Sequence, residues 1–334
     1  MRFVQYVKNA ERPLAAPLAG FPGAALARTT VKENLCNGEI QAKTLAALHK
    51  LVQFDIVFPM MDLTVEAQAF GAAIDWEIDA LPAITGIKVE TQAHADALII
   101  PEVGAGNRLG VFVEACRLLK KSMPEKIVWA YVLGPFSIAG RLMGMTEIAV
   151  NVKLEPELVH TVLKKTNALL LKYADALLGT GVDGVMVLEP AAGMLGVDDA
   201  NQFSNAYITD LVNLIKQKGK TPALHNCGHI MHLIESLCAT GIEVLHVGSV
   251  TDPAQVYPRL PEGVVLMGNL DPTEIFLRAT PEHTRAAAEE LALKMKNCQR
   301  FIISSGCDLP PEVSIQNLAA FEEAVRGKQS CCSL

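Results

Sequence analysis

The sequence predicts a single-domain α/β protein, a (β/α)8 TIM barrel. Three observations point there. Eight short aliphatic runs each end in Gly, Pro or a polar cluster. Helical patterns fill most of the gaps, and strands that alternate with helices form parallel sheets. The 334 residues hold eight such units in one domain, expected over residues 1–330, with an excursion between strands two and three.

The strand candidates follow in chain order. They are Pro13–Gly20, Phe54–Met60, Lys126–Pro135, Asp183–Pro190, Thr221–Gly228, Glu243–Gly248, Val264–Leu270 and Arg300–Cys307. Each is of strand length and rich in aliphatic residues, as strands buried on both faces of a parallel sheet should be. Glu155–Leu178 reads as a long helix, with Pro156 in its first turn and Gly179 at its stop. Asn205–Lys218 and Ile230–Thr240 are shorter helices. Thr280 is placed to cap a helix running to about Lys296, and Pro311–Val325 closes the set. Met61–Glu125 is long for one crossover and reads as a lid or partner surface. A doubly wound open sheet is the competitor, but the Gly20–Ala24 stretch (GFPGA) lacks the spacing that cradles a pyrophosphate.

Composition excludes several classes. Half the residues are hydrophobic and 19% are charged, enough for a large core and too apolar for a disordered chain. The formal net charge is −7, and no basic run is present, so no nucleic-acid partner is expected. Gly, Pro or charge interrupts every apolar stretch before about 18 residues, so no membrane span is expected. The N-terminus carries charges without the apolar core of a signal peptide, and a cytoplasmic location is expected. In that setting the eight cysteines read as thiols or metal ligands rather than disulfides. The tail Cys331-Cys332-Ser333-Leu334 has the length of a prenylation box but lacks its aliphatic residues.

The sharpest chemical signal is His225-Asn226-Cys227-Gly228, where a strand gives way to a helix. Cys307 lies at the end of the last strand, in Ser304-Ser305-Gly306-Cys307-Asp308. C-terminal strand ends form the active face of a barrel. Taken as strands six and eight, these two would have one strand between them and converge across the mouth. One imidazole and two thiolates are a common zinc set, and three protein ligands leave a fourth position open for catalysis. The plain alternative is two inert strand-end cysteines.

Other residues are candidates for the same mouth. Glu189 ends a strand and suits a base, a ligand or a hydrogen-bond acceptor, against the plain role of a solvated strand end. Asp62 follows the second strand. His246 reads as a core histidine or a wall of the site, and His229 and His232 as a partly exposed helix face. The Gly134–Ser137 corner leads into a helix whose first amides are suited to an anionic group. Gly268–Pro272, with Asn269, is a similar corner. Gly134, Ser137 and Asn269 are therefore the candidate cofactor-binding residues.

Four segments in order, Gly134–Gly140 (GPFSIAG), Leu224–Gly228 (LHNCG), Gly268–Pro272 (GNLDP) and Ser304–Pro311 (SSGCDLPP), resemble the uroporphyrinogen decarboxylase superfamily. Within it they are similar to the cobamide-dependent methyltransferase branch, typified by methylcobamide:coenzyme M methyltransferases. The resemblance spans about residues 10–326 and implies the same barrel. It implies zinc ligands at His225, Cys227 and Cys307. It also implies methyl transfer between a methylcobamide and a zinc-activated thiol, such as coenzyme M or another acceptor. No corrinoid-binding D-x-H-x-x-G element is visible, so the corrinoid is expected on a partner corrinoid protein docked at the mouth. Arg141 is a candidate for an acceptor's anionic group, against plain surface exposure.

Two departures matter. The decarboxylase branch carries arginines in its first strand-end motif, whereas Ala16–Gly23 has none. Asp62 matches that branch's catalytic aspartate but stands without evident cationic partners. Some methyltransferase members have an acidic zinc ligand where this chain has Gly248. The resting fourth ligand is then water, Glu189 or His246. The alternatives to zinc methyl transfer are a metal-free decarboxylase-like lyase relying on Asp62, and a non-catalytic binding barrel.

Overall fold

A computed structural model describes residues 3–104 and 106–327. Cys331 and Cys332 lie outside the described residues. Among the described residues there are ten strands: β1 (Leu14–Ala15), β2 (Ile56–Val57), β3 (Ala73–Asp75), β4 (Ala83–Thr85), β5 (Ile127–Leu133), β6 (Gly184–Leu188), β7 (Thr221–Asn226), β8 (Val244–Val247), β9 (Val265–Leu270) and β10 (Phe301–Ser305). All but β3 and β4 form one sheet in the order β1-β10-β9-β8-β7-β6-β5-β2. Every pairing in it is parallel. Each predicted aliphatic run contains one of these strands, and the result is a nearly closed TIM-type barrel.

The seam between the first and last strands of that order is bridged by one residue. The Asp55 amide donates to the Ala15 carbonyl at 2.8 Å, and the Ala15 amide donates to the Asp55 carboxylate at 2.8 Å. Arg12 and Arg326 hold the same carboxylate at 2.7 and 3.0 Å. Burial opposes the charge on Asp55, but these donors keep its pKa below the ordinary value.

The 61–125 excursion adds no strand to the barrel. It holds the antiparallel pair β3–β4 and the helices Val65–Ala69, Gln92–Ala97 and Arg108–Ser122. His225 and Cys307 sit on the fifth and eighth barrel strands, as the order of the eight aliphatic runs implies, so two strands lie between them rather than the one that numbering them six and eight gave. The Arg108–Ser122 helix is the crossover into β5. It packs closely on the helix Gly38–Leu51, where a Cβ on Gly38 would lie 2.6 Å from the Val111 carbonyl oxygen.

The other helices stand near their predicted places, with local differences. The helix Pro156–Leu178 buries a stripe through Leu158, Val162, Leu169, Tyr173 and Leu177. Gly179 keeps right-handed backbone, and the left-handed residue after the helix is Gly181, at φ 92°. Thr280 caps Pro281–Lys294 by accepting from the His283 amide. The helix predicted over 230–240 forms only from Ile234 to Ala239, so His229 and His232 lie on the exposed turn before it. Among the described residues, no helix is long and apolar enough to cross a membrane.

Candidate metal centre

The strand β7 delivers His225 and then stops sharply. Asn226 stops it, because its amide group donates to the Glu189 carbonyl at 2.6 Å and accepts from the Gly228 amide at 2.8 Å. That pair of bonds turns the chain directly after the strand and presents Cys227 at the mouth. The end of β10 is set by Gly306. Its amide donates to the Leu270 carbonyl at 2.6 Å, and a Cβ there would lie 2.6 Å from the Ser249 nitrogen. Only a residue without a side chain lets this strand end come so close, and Cys307 follows.

The sequence-predicted ligands converge. One ligand atom from each of His225, Cys227 and Cys307 lies within 4.8 Å of the others. His225 Nε2 and Cys307 Sγ are 3.8 Å apart. A tetrahedral zinc with ordinary bond lengths would separate such atoms by roughly 3.6 Å. The donor set and its spacing therefore fit zinc. The hydrogen bond from Cys307 draws the Cys227 thiol down to about 4, with the neighbouring His225 adding to the fall, while the bond to Cys227, burial and its charge push Cys307 upward. Without a cation the pair keeps its second proton. A bound dication is what would let both sulfurs be thiolates together.

No fourth His, Cys, Asp or Glu donor joins the three among the described residues. Each expected stand-in is committed elsewhere. A Cβ on Gly248 would lie 2.6 Å from Cys227 Cα, so that position cannot carry an acid while Cys227 stays in place. His246 is fully buried, with its Nδ1 2.7 Å from Nδ1 of His225. Glu189 is fully buried rather than solvated. Its carboxylate accepts from the Phe136 amide at 3.0 Å, from the Ser137 amide at 2.7 Å and from the Ser137 hydroxyl. Burial pushes its pKa up to about 7 against these donors.

The Gly134–Ser137 corner is thus filled from within. It was expected to receive a ligand's anion, but the helix Pro135–Met143 turns its first amides onto Glu189. Gly134 has no room for a side chain beside that carboxylate. Asn269 also faces inward, donating to the Gly248 and Thr251 carbonyls at 2.9 and 2.5 Å. It pins the loop that follows β8.

Asp62 lies apart from the three ligands, in a buried ionic cluster. Arg108 donates to it, as do the amide and hydroxyl of Thr64 at 2.8 and 2.7 Å. Arg108 also lies over the Trp76 ring, 4.7 Å from its centroid. The aspartate therefore has a cationic partner, which the sequence did not show because Arg108 is 46 positions away. Arg141 is part-buried rather than exposed. Burial lowers its pKa against the pull of Glu66 and Asp62.

Two residues near the metal set were missed. Tyr131 Oη and Asp308 Oδ1 are buried polar atoms without a hydrogen-bond partner. Burial raises the pKa of Tyr131, and the charges of Asp308 and Cys307 add to the rise. Asp308 is the residue after Cys307, so the G-C-D segment could have revealed it. Tyr131 stands on β5 stacked on Phe58, at 5.3 Å between ring centroids. Its strand reads only as aliphatic core.

Comparison with known proteins places the chain. The sequence pattern described as uroporphyrinogen decarboxylase (URO-D) matches residues 18–327. The methylcobamide:CoM methyltransferase MtbA of Methanosarcina mazei is 24% identical over 294 residues, covering 87% of this chain and 85% of the relative. The uroporphyrinogen decarboxylase of Chlorobium phaeobacteroides is 24% identical over 301 residues, covering 86% and 84%. Among solved structures, a methyltransferase from Methanosarcina mazei superposes with a TM-score of 0.84 at 19% identity, covering 97% of this chain and 96% of its own. A B12-independent methionine synthase from Shewanella gives 0.58 at 16% identity, covering 86% and 87%. The chain belongs to the uroporphyrinogen decarboxylase (URO-D) family.

Proposed function

We propose that this protein is a zinc-dependent methyltransferase. It moves a methyl group between a methylated corrinoid, presented by a separate corrinoid protein, and a small-molecule thiol such as coenzyme M. The observation that carries this reading is the cluster of His225, Cys227 and Cys307 at the barrel mouth, with no fourth His, Cys, Asp or Glu donor beside it among the described residues. Three ligands and an open position are the arrangement of a catalytic zinc. The similarity to a methylcobamide:CoM methyltransferase supports it.

Bound zinc supplies Lewis-acid activation, drawing a thiol's pKa from about 8.5 toward neutrality or below. The rest is the work of the chain. His225, Cys227 and Cys307 would hold the ion, and their two thiolates would balance its charge, which would keep an additional sulfur electron-rich. Tyr131 Oη and Asp308 Oδ1 are the unpartnered atoms that a substrate's polar group would satisfy. Glu189 holds the helix Pro135–Met143 at the rim through Phe136 and Ser137. Asp62 and Arg108 tie the excursion to the second strand end. The methylated corrinoid would be the co-substrate that supplies the methyl group, and the thiol sulfur at the mouth would be the atom that accepts it. Proximity and in-line alignment at the mouth supply the remaining acceleration.

The test is metal content by elemental analysis, run on the parent and Cys307→Ala, beside a thiol-methylation assay with methylcobalamin. About one zinc per chain, lost in the variant together with methylation, is the expected result. A reduced, chelator-free preparation that holds no zinc would overturn the proposal. Turnover of a carboxylated tetrapyrrole that is abolished by Asp62→Asn would do so as well.

A further inference from the structure

We propose that His246 is a positioning residue for the metal centre, fixing through its Nδ1 which nitrogen of His225 faces Cys227 and Cys307. This deepens the zinc reading above and rests on it for its consequence, though not for its geometry.

His225 and His246 are register partners on the adjacent parallel strands β7 and β8. Partners in a parallel ladder point to the same face of the sheet, so the two rings meet inside the barrel. They are 2% and 0% exposed. Their Nδ1 atoms are 2.7 Å apart. His246 Nε2 is 3.1 Å from Ser304 Oγ, and the Ser304 hydroxyl donates to the Ala16 carbonyl at 2.8 Å. A single hydrogen-bonded chain thus crosses the barrel from the end of β1 to His225.

The direction of that chain follows from its far end. A carbonyl oxygen only accepts, so the one Ser304 proton is spent on Ala16. Ser304 Oγ must then accept from His246 Nε2. A neutral imidazole carries one donor and one acceptor nitrogen, so His246 Nδ1 is left as an acceptor. Nδ1 of His225 must therefore be the donor. Its Nε2, 3.8 Å from Cys307 Sγ, then carries the lone pair. That is the nitrogen a metal needs. The Ala16 carbonyl, just past the first barrel strand, thereby selects the ligating tautomer on the fifth before any ion arrives. The two nitrogens of a metal-binding histidine are commonly distinguished by such an outer partner, whose loss costs about 10–100-fold in affinity.

Two variants separate this role from simple packing. His246→Leu keeps bulk and removes the acceptor, while His246→Asn puts an amide oxygen close to the position of Nδ1. Zinc affinity is read by chelator competition, and the His225 tautomer by 15N NMR of the metal-free protein. The parent should show His225 protonated on Nδ1. His246→Leu should show mixed tautomers and about 10–100-fold weaker zinc binding, with His246→Asn restored most of the way. A parent protonated on Nε2 of His225, or a folded His246→Leu that binds zinc as tightly as the parent, overturns the proposal. Ser304→Ala carries the same tautomer test if His246→Leu does not fold. A parent with the expected tautomer and no zinc would sink the zinc reading and leave the relay standing.

Discussion

A Cβ built on Gly248 lies 2.6 Å from both the Cα and the carbonyl oxygen of Cys227. The strand end after β8 is therefore packed against the backbone of Cys227, a proposed metal ligand, and the glycine is a condition of that residue's place. An acid at this position cannot be added as a fourth ligand without moving the second. Gly248→Ala and Gly248→Asp should each destabilise the fold by about 1–3 kcal/mol, as overpacking does. Both should weaken zinc binding at least about tenfold, because Cys227 is displaced. Chelator competition and thermal unfolding check this. Tighter zinc binding in Gly248→Asp would show that the loop yields and the aspartate ligates.

Glu189 separates a structural from a catalytic carboxylate. Its removal in Glu189→Ala strands two amides and a hydroxyl in a fully buried place, at a cost of roughly 3–5 kcal/mol. Glu189→Gln offers one oxygen where the donors use two and turns an amide N–H toward another, so about 1–2 kcal/mol is expected. Zinc content should be unchanged in the glutamine variant. A glutamine variant of parental stability that fails to hold zinc would instead put Glu189 in the metal centre.

The barrel and the convergence of His225, Cys227 and Cys307 were legible because both are written locally. Aliphatic runs stopped by Gly or Pro mark strands, and a His-x-Cys turn and a Gly-Cys-Asp turn each fall at a strand end. What was not legible depends on pairs far apart in sequence. Asp62 lacks a cation until the crossover helix brings Arg108 onto it. The Gly134–Ser137 corner looks open to an anion until β6 supplies Glu189. Gly248 reads as a missing ligand until the Cys227 backbone is seen occupying the space. The numbering of the His225 strand as the sixth does not hold, since the eight aliphatic runs taken in order already make it the fifth.

Asp55 makes the barrel's seam testable. Asp55→Asn keeps an oxygen for the Ala15 amide but loses the charge that Arg12 and Arg326 share. Leaving two guanidinium groups with a neutral partner in a part-buried site should cost about 2–4 kcal/mol. The parent's pKa here is depressed. The contribution is present above the ordinary carboxylate range and is lost as pH falls through the folded value. The variant's deficit in urea unfolding should therefore be full near neutrality and shrink in acid. A deficit that stays constant into strong acid would place the energy in packing rather than in the ion pairs.

Glu66 gives the opposite sign. Burial raises its pKa from 4.5 to about 7, with the Leu133 amide pulling the other way and Oε2 left without a partner. Between those two values the folded chain keeps a proton that the unfolded chain releases, so stability falls as pH rises across that window. Above it, the folded protein carries a buried carboxylate whose cost is on the order of 3 kcal/mol. Glu66→Gln has no proton to release. It should match the parent near pH 5 and exceed it by about 2–3 kcal/mol near pH 8, read as a widening gap in unfolding midpoints. A gap that does not change with pH would mean that Arg141, whose Nε is also unpartnered, already compensates the charge in the fold.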